Sequence, residues 1–188
     1  MSGDSRRRLL ELLTARSFER RRVVLASGKE SDFFIDCKQT VLTAEGHALT
    51  GEIMYAALDA LPGRAELRAV AGVELGGCPL ASAVALVSFQ RGASLDAVYV
   101  RKEAKDHGSK RLLEGDTLLA AGAHVAILED VITTGGSTLK AAAKLKDAGY
   151  EIAGVVVLVD RLEGGREALE AAGLRVTAVF TRADFMRD

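Results

Sequence analysis

Two adjacent carboxylates, Glu129 and Asp130, precede a run of hydroxyls and glycines, Thr133, Thr134, Gly135, Gly136, Ser137 and Thr138, with only Val131 and Ile132 between. Glycines let a backbone fold close to an anion while hydroxyls and N–H groups converge on it, and a helix opening there adds the positive end of its dipole. The turn therefore suits a phosphate. Acids repel phosphate, so the pair must serve something else on the ligand: vicinal hydroxyls, from which carboxylates accept hydrogen bonds, or a metal ion. A phosphorylated ribose has both ends. A P-loop is excluded because the first lysine after the double glycine is Lys140, and the dinucleotide fingerprint G-x-G-x-x-G is absent. An acidic helix start with turn-forming glycines would explain an isolated Glu-Asp or Gly-Gly, but it does not require the whole string from Val125 to Thr138.

This chemistry needs elements to hold it. Val125, Ala126, Ile127 and Leu128 form an apolar run without polar alternation, which predicts a parallel strand covered on both faces and ending just before the acids. Ala69 to Val73 predicts a second strand, followed by the turn Glu74, Leu75, Gly76, Gly77 and an apolar helix from Leu80 to Phe89; the glycines make this turn a second anion candidate. Leu95 to Val100 predicts a third strand. Beyond it, Arg101 to Arg111 carries no apolar side chain except Ala104, so the loop is expected to be mobile, as a solvated basic loop or as a lid over a polyanion. Ile152 to Val159 predicts another doubly buried strand ending in Asp160 and Arg161, where a ligand-facing cation and a loop ion pair are both open readings. Helices are expected over Ser5 to Ser17, Thr43 to Leu61, Leu139 to Ala148 and Gly164 to Ala172, two short strands about Ser27, Gly28 and Lys29, and an edge strand from Val176 to Phe180. The alternation of strands and helices points to an α/β fold with a mostly parallel central sheet flanked by helices.

Three of these stretches carry a resemblance. Val125 to Thr138 is similar to the phosphoribosyl pyrophosphate (PRPP) signature of type I phosphoribosyltransferases; L-A-S-G-K-E-S-D-F-F-I-D at Leu25 to Asp36 and V-R-K-E-A-K-D-H-G at Val100 to Gly108 narrow it to the orotate phosphoribosyltransferase family. The resemblance implies a single type I phosphoribosyltransferase-like domain over residues 1–188, with a small N-terminal hood at about 20–40 and a mobile lid at about 101–114. It implies transfer of ribose 5-phosphate from PRPP to orotate, giving orotidine 5′-monophosphate and pyrophosphate in UMP biosynthesis, with Mg²⁺ held mainly by PRPP and water. By the same resemblance PRPP is bound by Arg101, Lys102, Lys105, His107, Glu129, Asp130, Val131, Ile132, Thr133, Thr134, Gly135, Gly136 and Ser137, and its pyrophosphate by Glu74, Leu75, Gly76 and Gly77. Orotate falls to Thr133, Arg161, Phe33, Phe34 and Lys29, and catalysis to Lys105, His107, Glu129 and Asp130. A homodimer sharing the lid across its interface is implied as well. The chain departs from the pattern at Ala26 and Gly76, where many relatives carry lysines.

Composition sets outer bounds. The chain has 188 residues, 48% of them hydrophobic, enough for one sizeable core. With 25 basic and 26 acidic side chains there is no global field for nucleic acid or membrane, so any anion site must be built locally. The first residues lack an apolar signal region, and Cys37 and Cys78 lack metal-ligand spacing; a cytoplasmic location with reduced thiols is expected. Two other activities remain open: a phosphoribosyltransferase for a purine base, and a PRPP-responsive regulator that binds nucleic acid. The hood and lid stretches argue against the first, and the near-neutral charge against the second.

Overall fold

The computed structural model describes residues 3–24, 30–103 and 111–186. Helix α1 (Gly3–Arg16) leads into four two-residue strands, β1 (Phe18–Glu19), β2 (Val23–Val24), β3 (Glu30–Ser31) and β4 (Phe34–Ile35), then α2 (Lys38–Val41) and α3 (Ala44–Ala57). Strands β1 and β4 pair antiparallel, as do β2 and β3, so the hood is a doubled ladder rather than two strands alone. Thr43 caps α3: its hydroxyl accepts from the Gly46 N–H at 3.1 Å, a contact contributing about 1 kcal/mol.

The remaining strands, β5 (Leu67–Val73), β6 (Asp96–Val100), β7 (Leu113–Glu114), β8 (His124–Ile132), β9 (Glu151–Asp160) and β10 (Val176–Thr181), form one sheet in the order β10-β9-β8-β5-β6-β7. All neighbours are parallel except the β6 and β7 pair. Helices α4 (Gly77–Gln90), α5 (Gly136–Asp147) and α6 (Gly165–Ala171) make the crossovers that parallel strands require. Helix α7 (Arg182–Phe185) closes the described chain.

The unrelieved apolar run in β8 serves two cores. Val125 and Ile127 pack with Ala141, Ala142 and Leu145 of α5 and Leu169 of α6; Ala126 and Leu128 face the opposite side, with Leu9 and Leu13 of α1, Ile53 and Met54 of α3, and Leu80 and Val84 of α4. Each Val, Leu, Ile or Met among them contributes about 1.5–3 kcal/mol on burial. A one-residue slip would exchange the two sets.

Chain order reverses between β5 and β8: from β5 the chain moves one way to β6, and from β8 the other way to β9 and β10. Ligands of open α/β sheets bind outside the carboxyl ends of strands at such a point. The reversal places the turn after β5 beside the turn after β8. One expectation is corrected here. The strand does not end before the acids but continues through Ile132, because pairing with β9 persists at Glu129, Val131 and Ile132 after pairing with β5 has ended at Leu128. The acids thus stand on a strand freed along one edge, facing the crevice.

The hood rests on an aromatic cluster: Phe33 lies 5.0 Å from Phe18 and 5.7 Å from Phe185 of α7. Arg182 pairs with Asp32, so both chain ends contribute to the hood.

Candidate active site

At the end of β8 the two carboxyl groups do different work. Glu129 is buried, with 4% of its surface exposed, and its Oε2 accepts from the hydroxyls of Thr138 at 2.9 Å and Ser137 at 3.4 Å. Burial first, and then the neighbouring Asp130 charge, push the Glu129 carboxyl up to about 8, against the opposing effect of the Thr138 and Ser137 hydroxyls. It latches the turn to the start of α5. Asp130 is half-buried and turns toward the other loop: a Cβ added to Gly76 would sit 1.9 Å from Asp130 Oδ2. The carboxylate occupies the space that a side chain at 76 would need, which is a physical reason for glycine here.

Between these acids and α5 the hydroxyl turn is open. Thr134, Gly136 and Ser137 are exposed, Thr133 is half-buried, and Gly135 has φ of 79° with the Gly165 carbonyl closing in from α6. Only glycine fits that conformation and that approach together. The first N–H groups of α5 have no intrahelical acceptor, an arrangement that suits an anion. Val131 and Ile132 supply backbone rather than polar groups, Ile132 being buried in the core.

The turn after β5 is tied to the loop after β6. Glu74 donates its N–H to the Val100 carbonyl at 2.9 Å, and its Oε2 accepts from the Lys102 N–H at 2.8 Å. Lys144 of α5 donates to the carbonyls of Arg101 and Lys102, at 2.7 Å each. Arg101 lies 3.7 Å from Glu114, and Leu75 is exposed. A cavity of about 320 Å³ is lined there by Arg101, Lys102, Ser137, Lys140 and Lys144 among others. The first residues of the loop after β6 are thereby brought beside the hydroxyl turn. Lys105 and His107 lie outside the described residues, as do Ala26 and Lys29 in the hood.

At the end of β9, Arg161 is 8% exposed, and its Nη2 donates to Ser31 Oγ at 3.1 Å and to the Phe33 carbonyl at 2.8 Å while pairing with Glu163 at 3.0 Å. Asp160 instead pairs with Arg166 at 3.0 Å and accepts from the Leu162 N–H. Both members of the pair are thus held in loop ion pairs, Arg161 with Glu163 and Asp160 with Arg166. Phe33 is fully buried, with its carbonyl on Arg161; Phe34 is half-buried and carries the Arg21 guanidinium over its ring at 4.0 Å. Among the described residues no three His, Cys, Asp or Glu side chains gather as a metal cage.

Sequence reasoning missed Glu163, Ser31 and Lys144. Glu163 had a faint signal, an acid two positions after the arginine. Ser31 and Lys144 had none, since each gains its role from a partner at least 42 residues away.

A doubly covered parallel sheet with two glycine turns meeting at one strand reversal is an architecture that a phosphoribosyltransferase domain uses, and the family model described as phosphoribosyl transferase domain matches residues 46–172. An orotate phosphoribosyltransferase of Sorangium cellulosum is 70% identical over 99% of this chain and 95% of its own length. One from Bradyrhizobium sp. strain ORS 278 is 42% identical over 97% of each chain. The crystal structure of Mycobacterium tuberculosis orotate phosphoribosyltransferase in complex with PRPP superposes with a TM-score of 0.76 at 34% identity, covering 96% of this chain and 98% of that one. The chain belongs to the orotate phosphoribosyltransferase family.

Proposed function

We propose that the chain transfers the ribose 5-phosphate of PRPP to N1 of orotate, producing orotidine 5′-monophosphate and pyrophosphate for UMP synthesis. The observation that carries this reading is the convergence on Asp130: its carboxylate fills the gap at Gly76, so the ribose-phosphate turn and the pyrophosphate turn meet at one charged group. A ligand spanning both turns lays its anomeric carbon between them.

Breaking the bond from that carbon to pyrophosphate leaves positive charge on the sugar and negative charge on the leaving group, while N1 of orotate forms the new bond. Such a reaction needs position and electrostatics rather than a protein nucleophile. The α5 N–H groups with Thr134, Gly136 and Ser137 hold the 5′-phosphate. Asp130 accepts from the ribose hydroxyls and favours the cationic sugar, with Glu129 keeping the turn in place behind it. Arg101 and Lys102, with Lys105 and His107, take up the leaving charge, Lys105 and His107 as proton donors. Arg161 and Thr133 face orotate, with Phe34, Lys29 and the Phe33 backbone beside it. The Asp130 carboxylate, an oxygen donor half-exposed at the crevice, would be the protein's contact to Mg²⁺, which when bound would supply charge neutralisation to pyrophosphate while keeping most of its waters.

Exposed Leu86 and Phe89, one turn apart on α4, support a homodimer. No described helix is long and apolar enough to cross a membrane, and a cytoplasmic location is part of the proposal. The purified chain with PRPP, Mg²⁺ and orotate should deplete the orotate absorbance. Turnover of purine bases but not orotate would overturn the choice of base, and RNA binding without any turnover would overturn the enzyme.

A further inference from the structure

Lys144 stands in the last turn of α5, where a lysine ordinarily faces water or the final carbonyls of its own helix. Its Nζ instead crosses to the loop after β6 and donates to the carbonyls of both Arg101 and Lys102, at 2.7 Å each. Charge-assisted bonds of this length are among the stronger ones a side chain makes. The N–H groups of the same two residues are held as well, Arg101 by the Leu112 carbonyl at 2.9 Å and Lys102 by Glu74 Oε2 at 2.8 Å. Strand β6 has ended at Val100, yet all four backbone polar groups of the next two residues are fixed, three of them by side chains. Such pinning sets where a side chain starts and which way it leaves.

Ser137, Lys140 and Lys144 fall at i, i+3 and i+7 on one face of α5. Together with Arg101 and Lys102 they line the cavity of about 320 Å³, where Glu103 is the one acid among the described residues. Setting a further cation beside Arg101 and Lys102 concentrates like charge, which a loop with no anion to meet has no reason to hold. We propose that Lys144 is a positioning residue for the leaving group: it fixes the backbone from which Arg101 and Lys102 reach the pyrophosphate of PRPP. This rests on the reaction assigned above. The start of α5 then serves the 5′-phosphate and its last turn serves the cations at the other end of the ligand, so one rigid helix sets the span between them.

Lys144→Met removes the donors and keeps an unbranched side chain in the helix. Calorimetry in the presence of Mg²⁺ should show its Kd for PRPP raised about tenfold, because a displaced cation loses its hold on the pyrophosphate. Orotidine 5′-monophosphate carries the 5′-phosphate and no pyrophosphate, so its Kd and the thermal midpoint should stay close to wild type. Lys144→Arg retains the donors and should recover most of the lost affinity. In a chain already carrying Arg101→Met and Lys102→Met, adding Lys144→Met should change the PRPP Kd by less than about twofold, since residues that act through one another are not additive. The full loss in that background overturns the proposal and makes Lys144 a direct contact. Equal losses for PRPP and orotidine 5′-monophosphate overturn it in favour of a lysine that only supports the fold. An unchanged PRPP Kd in the single variant overturns it and leaves the assigned reaction intact. A wild-type chain that binds no PRPP fails earlier, and that reaction falls together with the proposal.

Discussion

Strands β8 and β9 lie side by side and end at the same edge of the sheet, yet they hold their polar groups differently. At β8 the partners of Glu129 are local: it is satisfied by Ser137 and Thr138, eight and nine residues on, and the turn between them stays open. At β9 the partners are remote: Arg161 is held by Ser31 and Phe33, 130 and 128 residues back, under a hood supported by the last described helix. The end proposed for the sugar phosphate is thus assembled largely by one strand, one turn and one helix start, whereas the end proposed for the base forms only once both chain ends have folded over the sheet. A local site can be inherited as a string. A composite one can change its base by changing any of several distant residues.

Arg161→Ala is the strongest way to break this contrast. It leaves the Glu163 carboxyl buried without its cation and unties the hood, so unfolding in urea should show a loss of about 3–5 kcal/mol together with loss of orotate turnover. A loss below about 1 kcal/mol would mean that the hood is held by its aromatic cluster alone.

The β8 end makes an opposite prediction, through pH. Because the folded-state value of Glu129 lies near 8, above the 4.5 of an unperturbed glutamate, the folded state binds more protons than the unfolded state between those values. Its contribution is complete below pH 4.5 and is lost as pH rises toward 8. Thermal midpoints across that range should fall for the wild type and fall less for Glu129→Gln; parallel curves would remove the proposed latch.

The smallest effect is expected at Gly76. In Gly76→Ala the new Cβ would meet the Asp130 carboxylate, which must swing away from the crevice. The KM for PRPP should rise about tenfold while that for orotate holds. No change in the PRPP value would show that the two turns do not share this carboxylate.

The same contrast explains what could be read in advance. The cradle was legible as a string because its hydrogen bonds close within ten residues, and the sheet because doubly buried strands are apolar throughout. The length of β8 was misjudged at Glu129 and Asp130, since charge at a strand end looks like a loop when the pairing that continues is on one edge only. Strands β1, β4 and β7 are two residues long, too short for any periodicity, and are fixed by partners across the fold. Glu163 and Lys144 could not be assigned because a lone acid or lysine has no pattern. Their roles are set by the tertiary neighbours that meet them.

The anchoring of the loop after β6 has one more consequence. Its ends are stitched together, Arg101 to Leu112 and Val100 to Leu113 on the sheet, with Lys144 and Glu74 gripping the near side. Ring closure is therefore settled before the intervening residues take any conformation, and doubling their number would cost only about 0.6 kcal/mol in chain entropy. Evolution can lengthen or shorten this stretch to suit how far it must extend, with almost no tax on folding.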